Sequence, residues 1–196
     1  MSLDYVDLGL PSGTLWAKCN LGAEKETDFG KFYQWGDTQG YSGVDEHQFN
    51  WDDYKFCHWT DLTKYNKTDN KLILDNEDDP VWVATDGKMK TPTKEQLQEL
   101  IDHTNHEWTE INSVNGVKFV NRNDDSKYIF IPAAGGCLDF FHDAVGSWGY
   151  VRSSSRDSRV TIFAWCMCLN SGFVDMDYYG RCNGFSVRGV INSKII

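Results

Sequence analysis

Cysteines are the residues whose spacing most directly suggests chemistry in this chain. The six cysteines show no C-x-x-C motif of the kind that zinc sites use. Cys166 and Cys168 lie two residues apart, so a strand would place both thiols on one face, and we interpret them as unbridged thiols rather than as zinc ligands. Cys182 lies near Arg181 and Arg188, and a reactive thiol needs such cationic neighbours. The spacing around Cys182 does not otherwise match a reactive-thiol motif, so no catalytic role is assigned to it.

Carboxylates and histidines give weaker signals. The acidic run at residues 75–79 lacks the ligand pattern of a calcium-binding loop, and we interpret it as a solvated loop while leaving a calcium role open. His103 and His106 lie three apart at the predicted end of a helix, where a frayed, solvated end is favoured over a metal pair. No Ser-His-Asp arrangement or carboxylate pair stands out among the 29 acidic residues. We therefore expect no metal, no other cofactor and no catalytic residues.

The elements that carry the thiols are predicted to be strands near the C-terminal end. Residues 165–170 and 173–177 each alternate between an apolar set and a mixed set, and the turn at residues 170–172 joins them. Adjacent strands bring each set to one face, so we expect the apolar set inside and the mixed set toward solvent. The predicted core contains Trp16, Trp35, Leu97, Leu100, Phe130, Trp165, Met167, Val174, Met176 and Val187.

A single clear helix is predicted after Pro92. Thr93 and Gln96 have capping-box spacing, and Leu97, Leu100 and Ile101 form one apolar stripe. Short strands are predicted around the turn at residues 11–13, over residues 31–37, and over residues 114–121 and 127–136, with Asn115-Gly116 as a turn signal. Residues 38–70 are polar, aromatic and aperiodic, which indicates a long loop insertion.

Length and charge limit the class of protein. The 196 residues are enough for one domain with a substantial core, and we expect a single domain over residues 1–196. The 19 basic and 29 acidic residues give a net charge of -10, which disfavours nucleic acid and anionic membrane surfaces as partners. No apolar run approaches the roughly 18 residues of a membrane span, so membrane insertion is not expected.

Five motifs in a fixed order resemble a domain family of gut Bacteroidetes and their phages. They are LGLPSGTLWAKCNLGA, FGKFYQWGDT, MKTPTKEQLQELI, IFIPAAGG and GFSVRGV, and they span residues 6–190. The resemblance implies an α+β, C-type lectin-like fold in the branch shared with formylglycine-generating enzymes. In that fold two helices lie around small antiparallel β-sheets, and many residues lie in loops.

The segment at residues 151–190 is similar to a narrower group, the variable proteins of diversity-generating retroelements. In that group a template rich in asparagine AAY codons is copied with its adenines replaced at random, which cannot produce Trp, Met, Lys, Gln or Glu. None of those types occurs at the matching slots here, whereas Trp165, Met167 and Met176 lie between them. The resemblance implies that the mixed residues are one sample of a randomised surface. Here Arg152 stands where the related pattern YWSS has its Trp.

We therefore predict a binding site on one solvent-facing patch, with Tyr178 and Tyr179 as aromatic anchors. It comprises Arg152, Arg156, Asp157, Arg159, Phe163, Cys166, Cys168, Phe173, Asp175, Asp177, Tyr178, Tyr179, Gly180 and Cys182. Its partner would be a protein or glycan receptor on a target cell. The protein itself would be located on a virion surface, such as a phage tail, or on a bacterial cell surface. A homo-oligomer is left open.

Two other functions are weighed against receptor binding. A formylglycine-generating-enzyme-like oxidase would use Cys182, although that residue falls on a variable slot. A structural surface domain without a diversified site would need no ligand. Calcium-dependent sugar binding is disfavoured, because the motifs of calcium-dependent lectins are missing from the sequence.

Overall fold

The computed structural model describes residues 4–58 and 61–192 as short strands, two short helices and long loops, so the coarse class is α+β, as predicted. The helices are α1 (Pro80–Ala84) and α2 (Lys94–His103), and a 3₁₀ turn spans Asn76–Asp78. The strands are β1 (Tyr5–Asp7), β2 (Thr14–Asn20), β3 (Phe32–Tyr33), β4 (Cys57–His58), β5 (Asp61–Leu62), β6 (Thr104–Ile111), β7 (Val114–Asn121), β8 (Asp124–Pro132), β9 (Gly136–Leu138), β10 (Phe141–Asp143), β11 (Gly149–Arg156), β12 (Phe163–Asn170), β13 (Phe173–Gly180), β14 (Phe185–Ser186) and β15 (Arg188–Asn192).

The strands form five small sheets. The largest has the order β13-β12-β11-β14-β3, in which β11 and β14 run parallel and the other neighbours run antiparallel. Two three-stranded sheets have the orders β1-β2-β15 and β6-β7-β8, and β4-β5 and β9-β10 are two-stranded. Because β15 pairs with β2, the last strand is held against the start of the chain. In the described part of the chain, neither helix has the length or apolar character for crossing a membrane.

Helix α2 begins and packs as its sequence predicts. The Thr93 hydroxyl accepts a hydrogen bond from the Gln96 amide at 3.3 Å, and the Gln96 side chain accepts one from the Thr93 amide at 2.9 Å. This reciprocal capping box satisfies two of the donors that a helix start leaves unpaired. Leu97 and Leu100 are fully buried against the main core. Helix α1, which was not predicted, has Asp79 as its cap and Pro80 at its first position.

The predicted core residues lie inside, with three at its margin. Trp16, Trp35, Leu97, Leu100, Phe130, Met167 and Val187 are buried. Val174 and Met176 are half-buried and pack against the main core cluster, and Trp165 is also half-buried. All three marginal residues lie toward the β13 end of the largest sheet, which has no further strand beyond it in the described chain.

The turn between β6 and β7 lies three residues before its predicted position. Asn112 and Ser113 form the turn with φ values of 51° and 64°, whereas Asn115 and Gly116 lie inside β7. Gly116 is needed for packing, because a Cβ there would lie 2.3 Å from the carbonyl oxygen of Ile131. The predicted turn at Asn115-Gly116 is therefore wrong, and the glycine reflects a close approach between strands rather than a turn.

The insertion at residues 38–70 is docked onto the domain by its aromatic side chains. Tyr54, Phe56 and Tyr65 are buried together with Trp35. Arg181 lies among these four rings, 4.6 Å from the centroid of Trp35, and donates a hydrogen bond to the Tyr54 hydroxyl at 2.8 Å. The insertion contains β4 and β5 but is otherwise loop, and its residues 59–60 lie outside the described ranges.

Candidate functional site

The predicted site residues divide between the two faces of the largest sheet. One face, here called the aromatic face, carries Trp148, Tyr150, Phe173, Tyr179 and Phe185. The opposite face, here called the helix face, packs on α2 through residues such as Met167 and Leu169. The expectation of one continuous patch is therefore wrong, because the side chains of Tyr178 and Tyr179 lie on opposite faces of β13.

Cys166 and Cys168 lie under the aromatic face and not at its surface. Their exposed fractions are 0% and 1%, because β12 has strands on both sides and Trp148, Tyr150, Tyr179 and Phe185 cover its thiols. The two sulfur atoms are 3.7 Å apart. The prediction that they face solvent is wrong. The cover consists of Trp148, just before β11, and of residues from β11, β13 and β14, which alternation within β12 cannot reveal.

Arg152 is also buried, and it stabilises the sheet. Its guanidinium donates hydrogen bonds to the carbonyl oxygens of Gly180 at 3.0 Å and Asn183 at 2.8 Å. The guanidinium also lies 4.2 Å from the centroid of the Phe185 ring. A planar guanidinium stacks on an aromatic ring much as another aromatic ring would. Arg152 is therefore a buried structural residue, and the prediction that it faces solvent is wrong.

Arg156 and Asp157 fix the conformation of the loop between β11 and β12. Both are buried, so the prediction that they face solvent is wrong. Arg156 donates hydrogen bonds to the carbonyl oxygens of Lys71 and Asp157, each at 2.7 Å. Asp157 accepts from the backbone amides of Arg159 at 2.9 Å and Val160 at 2.7 Å. The polar groups of Arg156 and Asp157 are therefore hydrogen-bonded within the protein. Of the three predicted site residues in this loop, Arg159 is the exposed one.

Cys182 packs against the aromatic cluster of the insertion and is 5% exposed. Burial is the main reason that the pKa of its thiol is raised to about 11, and the charge of Arg152 only partly offsets it. At neutral pH the thiol therefore stays protonated, which is the opposite of what a nucleophilic cysteine requires. The prediction that Cys182 is solvent-facing is wrong.

The remaining predicted residues are at least partly accessible. Phe173, Asp175, Asp177 and Tyr179 lie on the aromatic face, with Phe173 and Asp175 the most open. Tyr178 contacts Phe163 and Trp165 on the other side of the sheet, where the Lys94 ammonium lies 3.3 Å from the Trp165 ring centroid. Gly180 ends β13 opposite Phe163. Only part of the predicted set therefore shares one surface.

Aromatic residues outside the predicted set complete the aromatic face. The Tyr150 ring lies nearly parallel to the ring of Phe185, at a centroid distance of 4.6 Å, and to that of Trp148, at 6.1 Å. Phe173 contacts Trp148 from the neighbouring edge strand. The closely spaced aromatic residues in GSWGY could have pointed to Trp148 and Tyr150, but the strand order that joins them to β13 is not readable from sequence.

Three carboxylates of the acidic run, those of Asp75, Glu77 and Asp78, form salt bridges with lysines. Carboxylate oxygens of Asp75, Glu77 and Asp78 lie within 4.8 Å of one another, close enough to suggest a cation site. The Lys64 ammonium lies 2.8 Å from Asp75 and 3.1 Å from Glu77, and it also pairs with Asp78. Hydrogen bonds from Lys64 and Lys71 hold the pKa of Asp75 below its usual value. A protein cation thus takes the position that a metal ion would need.

Comparisons of the chain with protein-family models, with curated proteins and with solved structures each gave no match.

Proposed function

We propose that this chain is a ligand-binding display domain with a C-type lectin-like fold, similar to the variable proteins of diversity-generating retroelements. Two short helices, small and mostly antiparallel sheets and long loops are consistent with that fold. The ligand would be a protein or glycan on a target cell, reached from a virion surface or a bacterial cell surface.

One observation carries the proposal. Phe173, Asp175, Asp177 and Tyr179 fall on the slots that the resemblance marks as variable, and they share the accessible aromatic face of an edge strand. Their chemistry is mixed, as expected of a sampled surface and not of a core. Exposed positions tolerate substitution within about 0.5 kcal/mol, so such a surface can change while the helix face keeps the fold.

A displayed library tests this function directly. Residues 173, 175, 177 and 179 would be randomised, and the pool would be sorted for folded clones and then selected on lysozyme as a model protein target. We expect most clones to fold and specific binders to emerge. A control library would randomise exposed residues of the β6-β7-β8 sheet, namely Asn105, Glu107, Glu110 and Asp125. A surface library that is mostly unfolded, or no richer in binders than the control, would contradict the proposal.

The genome gives a second test that needs no protein. A diversified segment requires a reverse transcriptase and a near-copy of the coding sequence for residues 151–190 beside the gene. We expect both, with adenines in the repeat at the codons for the variable slots. A repeat whose mismatches fall on core positions such as Met167 would contradict the proposal.

An oxidase that uses thiols is the alternative with an observation in its favour, the 3.7 Å contact between the Cys166 and Cys168 sulfur atoms. The hydrogen bond with Cys166 and burial raise the pKa of the Cys168 thiol, so Cys168 is held protonated, and both thiols are buried away from solvent. Binding is therefore favoured over thiol catalysis. Slow alkylation of the native protein, with rapid alkylation after unfolding, is the expected result, whereas fast native alkylation of Cys166 or Cys168 would favour the oxidase.

A further inference from the structure

The β9-β10 hairpin extends the aromatic face with apolar side chains. Leu138, Phe140 and Phe141 are 38%, 57% and 71% exposed. Leu138 pairs across the hairpin with Phe141, so their side chains lie on one side of it. Gly136, two residues before Leu138, has the same orientation, and a Cβ there would lie 2.7 Å from the Phe185 ring. The side of the hairpin that carries Leu138 and Phe141 is therefore continuous with the aromatic face.

The charges of this combined surface are negative. Asp175 and Asp177 lie on the aromatic face, and Asp143 ends the hairpin on the side of Leu138 and Phe141. Asp143 pairs with Gly136, where a Cβ would lie 3.4 Å from the Tyr150 ring, so the Asp143 end of the hairpin is next to that ring. The described strands β9–β14 contain two arginines, Arg152 and Arg156, and both are buried with their charges directed to backbone carbonyls.

We propose that the aromatic face and the β9-β10 hairpin together bind a protein partner that presents an arginine or lysine beside an apolar side chain. The inference rests on the proposed function, because it assigns the partner chemistry of the same site. The apolar side chain would pack on Leu138 and Phe141, and the cation would lie between the ring edges and Asp143, Asp175 and Asp177. Charge complementarity with the carboxylates selects such a partner over an acidic one.

Ring geometry favours a protein over a glycan. Sugar rings pack on the open faces of aromatic side chains, but the Tyr150 ring is stacked on Phe185 at a centroid distance of 4.6 Å and lies nearly parallel to Trp148 at 6.1 Å, so these rings restrict access to it. Phe141, the most exposed ring, lies in an apolar set with Leu138 and Phe140. An exposed apolar set rimmed by like charges is typical of protein-binding surfaces.

Short capped peptides test the inference without knowledge of the natural partner. The probe is acetyl-Phe-Arg-amide, with acetyl-Phe-citrulline-amide and acetyl-Phe-Glu-amide as matched neutral and acidic probes and methyl mannoside as a sugar probe. Binding would be followed by amide shifts in ¹H–¹⁵N spectra of the full chain. We expect saturable shifts near Leu138, Phe141 and Asp175 with the arginine probe, and binding roughly three- to tenfold weaker with the citrulline probe.

Two variants and a salt titration locate the interaction. Asp175→Asn with Asp177→Asn should weaken the arginine probe roughly three- to tenfold, and Phe141→Ala should weaken all the peptide probes. The matched control is Asp124→Asn with Asp125→Asn on the remote β7-β8 turn, which should change nothing. Raising ionic strength from about 0.01 M to about 1 M should remove the preference for arginine, because the Debye length falls from about 30 Å to about 3 Å.

Several outcomes would overturn the inference. Equal binding of the arginine and glutamate probes, shifts confined to other surfaces, or a response to methyl mannoside in place of the peptides would each do so. If no peptide binds while the randomised library still yields binders, the partner inference fails and the display function stands. If the library also fails, the display function fails with it. Each variant would first be checked for an unchanged spectrum outside its own surroundings.

Discussion

Strands β12 and β13 lie side by side and have the same alternating pattern, yet their mixed residues occupy different environments. Cys166 pairs with Asp177, and Cys168 pairs with Asp175, so the two side chains of each pair lie next to each other on the same face of the sheet. The cysteines are 0% and 1% exposed, whereas Asp175 is exposed. The difference arises from strand order: β12 lies between two strands whose side chains cover it, while β13 is at the edge of the sheet.

This contrast shows that sharing a face of a sheet and being exposed on that face are separate properties. A period of two tells which residues share a face, but the cover over that face comes from residues elsewhere in the chain. For the proposed function, the contrast means that the candidate variable slots are of two kinds. The slots at Phe173 and Asp175 on β13 are exposed and free to change, while those on β12 must fit beneath Trp148, Tyr150, Tyr179 and Phe185.

The largest expected effect comes from placing the same charge on the two strands. Cys168→Asp would bury a carboxylate beneath the aromatic rings, and we expect it to lower the free energy of unfolding by about 3–5 kcal/mol. The reciprocal variant, Asp175→Cys, should cost less than about 1 kcal/mol, because its site is open to water. Urea unfolding of both proteins measures the difference. Equal losses of unfolding free energy in the two variants would show that the aromatic rings over β12 can move aside to admit a carboxylate.

A methionine pair sharpens the contrast on the helix face. Met167 is fully buried and Met176, its cross-strand partner, is half-buried at the edge. Met167→Ala should cost about 2–5 kcal/mol, as expected for a buried methionine, and Met176→Ala should cost about half as much. Thermal and urea unfolding of the two variants provide the test, and the reverse order would mean that the edge strand is covered in solution.

The sequence predicted the parts of the fold that local chemistry determines. The capping box at Thr93 and Gln96 and the apolar stripe of α2 depend on neighbours within one turn, and both are present. The Asn115-Gly116 turn was wrong because a glycine can serve either a turn or a close approach, and the carbonyl of Ile131 that requires Gly116 lies on another strand. Helix α1 was missed because five residues are too few to show a periodicity.

The candidate site was predicted less completely, since it depends on contacts that are distant in sequence. Phe173 and Asp175 are accessible as expected, whereas Arg152 and Cys166 are buried by residues from other strands. Arginine is usually exposed, so composition gives no sign that Arg152 bonds to backbone carbonyls beyond β12. Strand order was the missing information, and it follows from long-range pairing and not from any local pattern.

A smaller effect is expected at Phe173, the first residue of β13. Phe173 is 41% exposed and contacts Trp148 at a centroid distance of 6.1 Å. Phe173→Ala should therefore cost about 1 kcal/mol, well below the about 3–5 kcal/mol of a buried phenylalanine such as Phe185. The two alanine variants would be compared by urea unfolding. A cost at position 173 that matches the cost at Phe185 would place Phe173 in the core and remove it from the variable surface.

The smallest effect is expected for Asp175→Asn. The Asp175 carboxylate accepts a hydrogen bond from the Met176 amide at 2.7 Å, and the amide oxygen of asparagine can accept the same bond. The side chain is exposed, so the free energy of unfolding should change by less than about 0.5 kcal/mol. The matched variant is Cys168→Asn, directly across the strand pair, which should cost about 1–3 kcal/mol because it buries an amide beneath aromatic rings. Asparagine is the residue that the resemblance assigns to both slots, so this pair compares one side chain in two environments. If both variants were equally mild in urea unfolding, β12 would be as free to vary as β13, and the division of the slots into two kinds would be wrong.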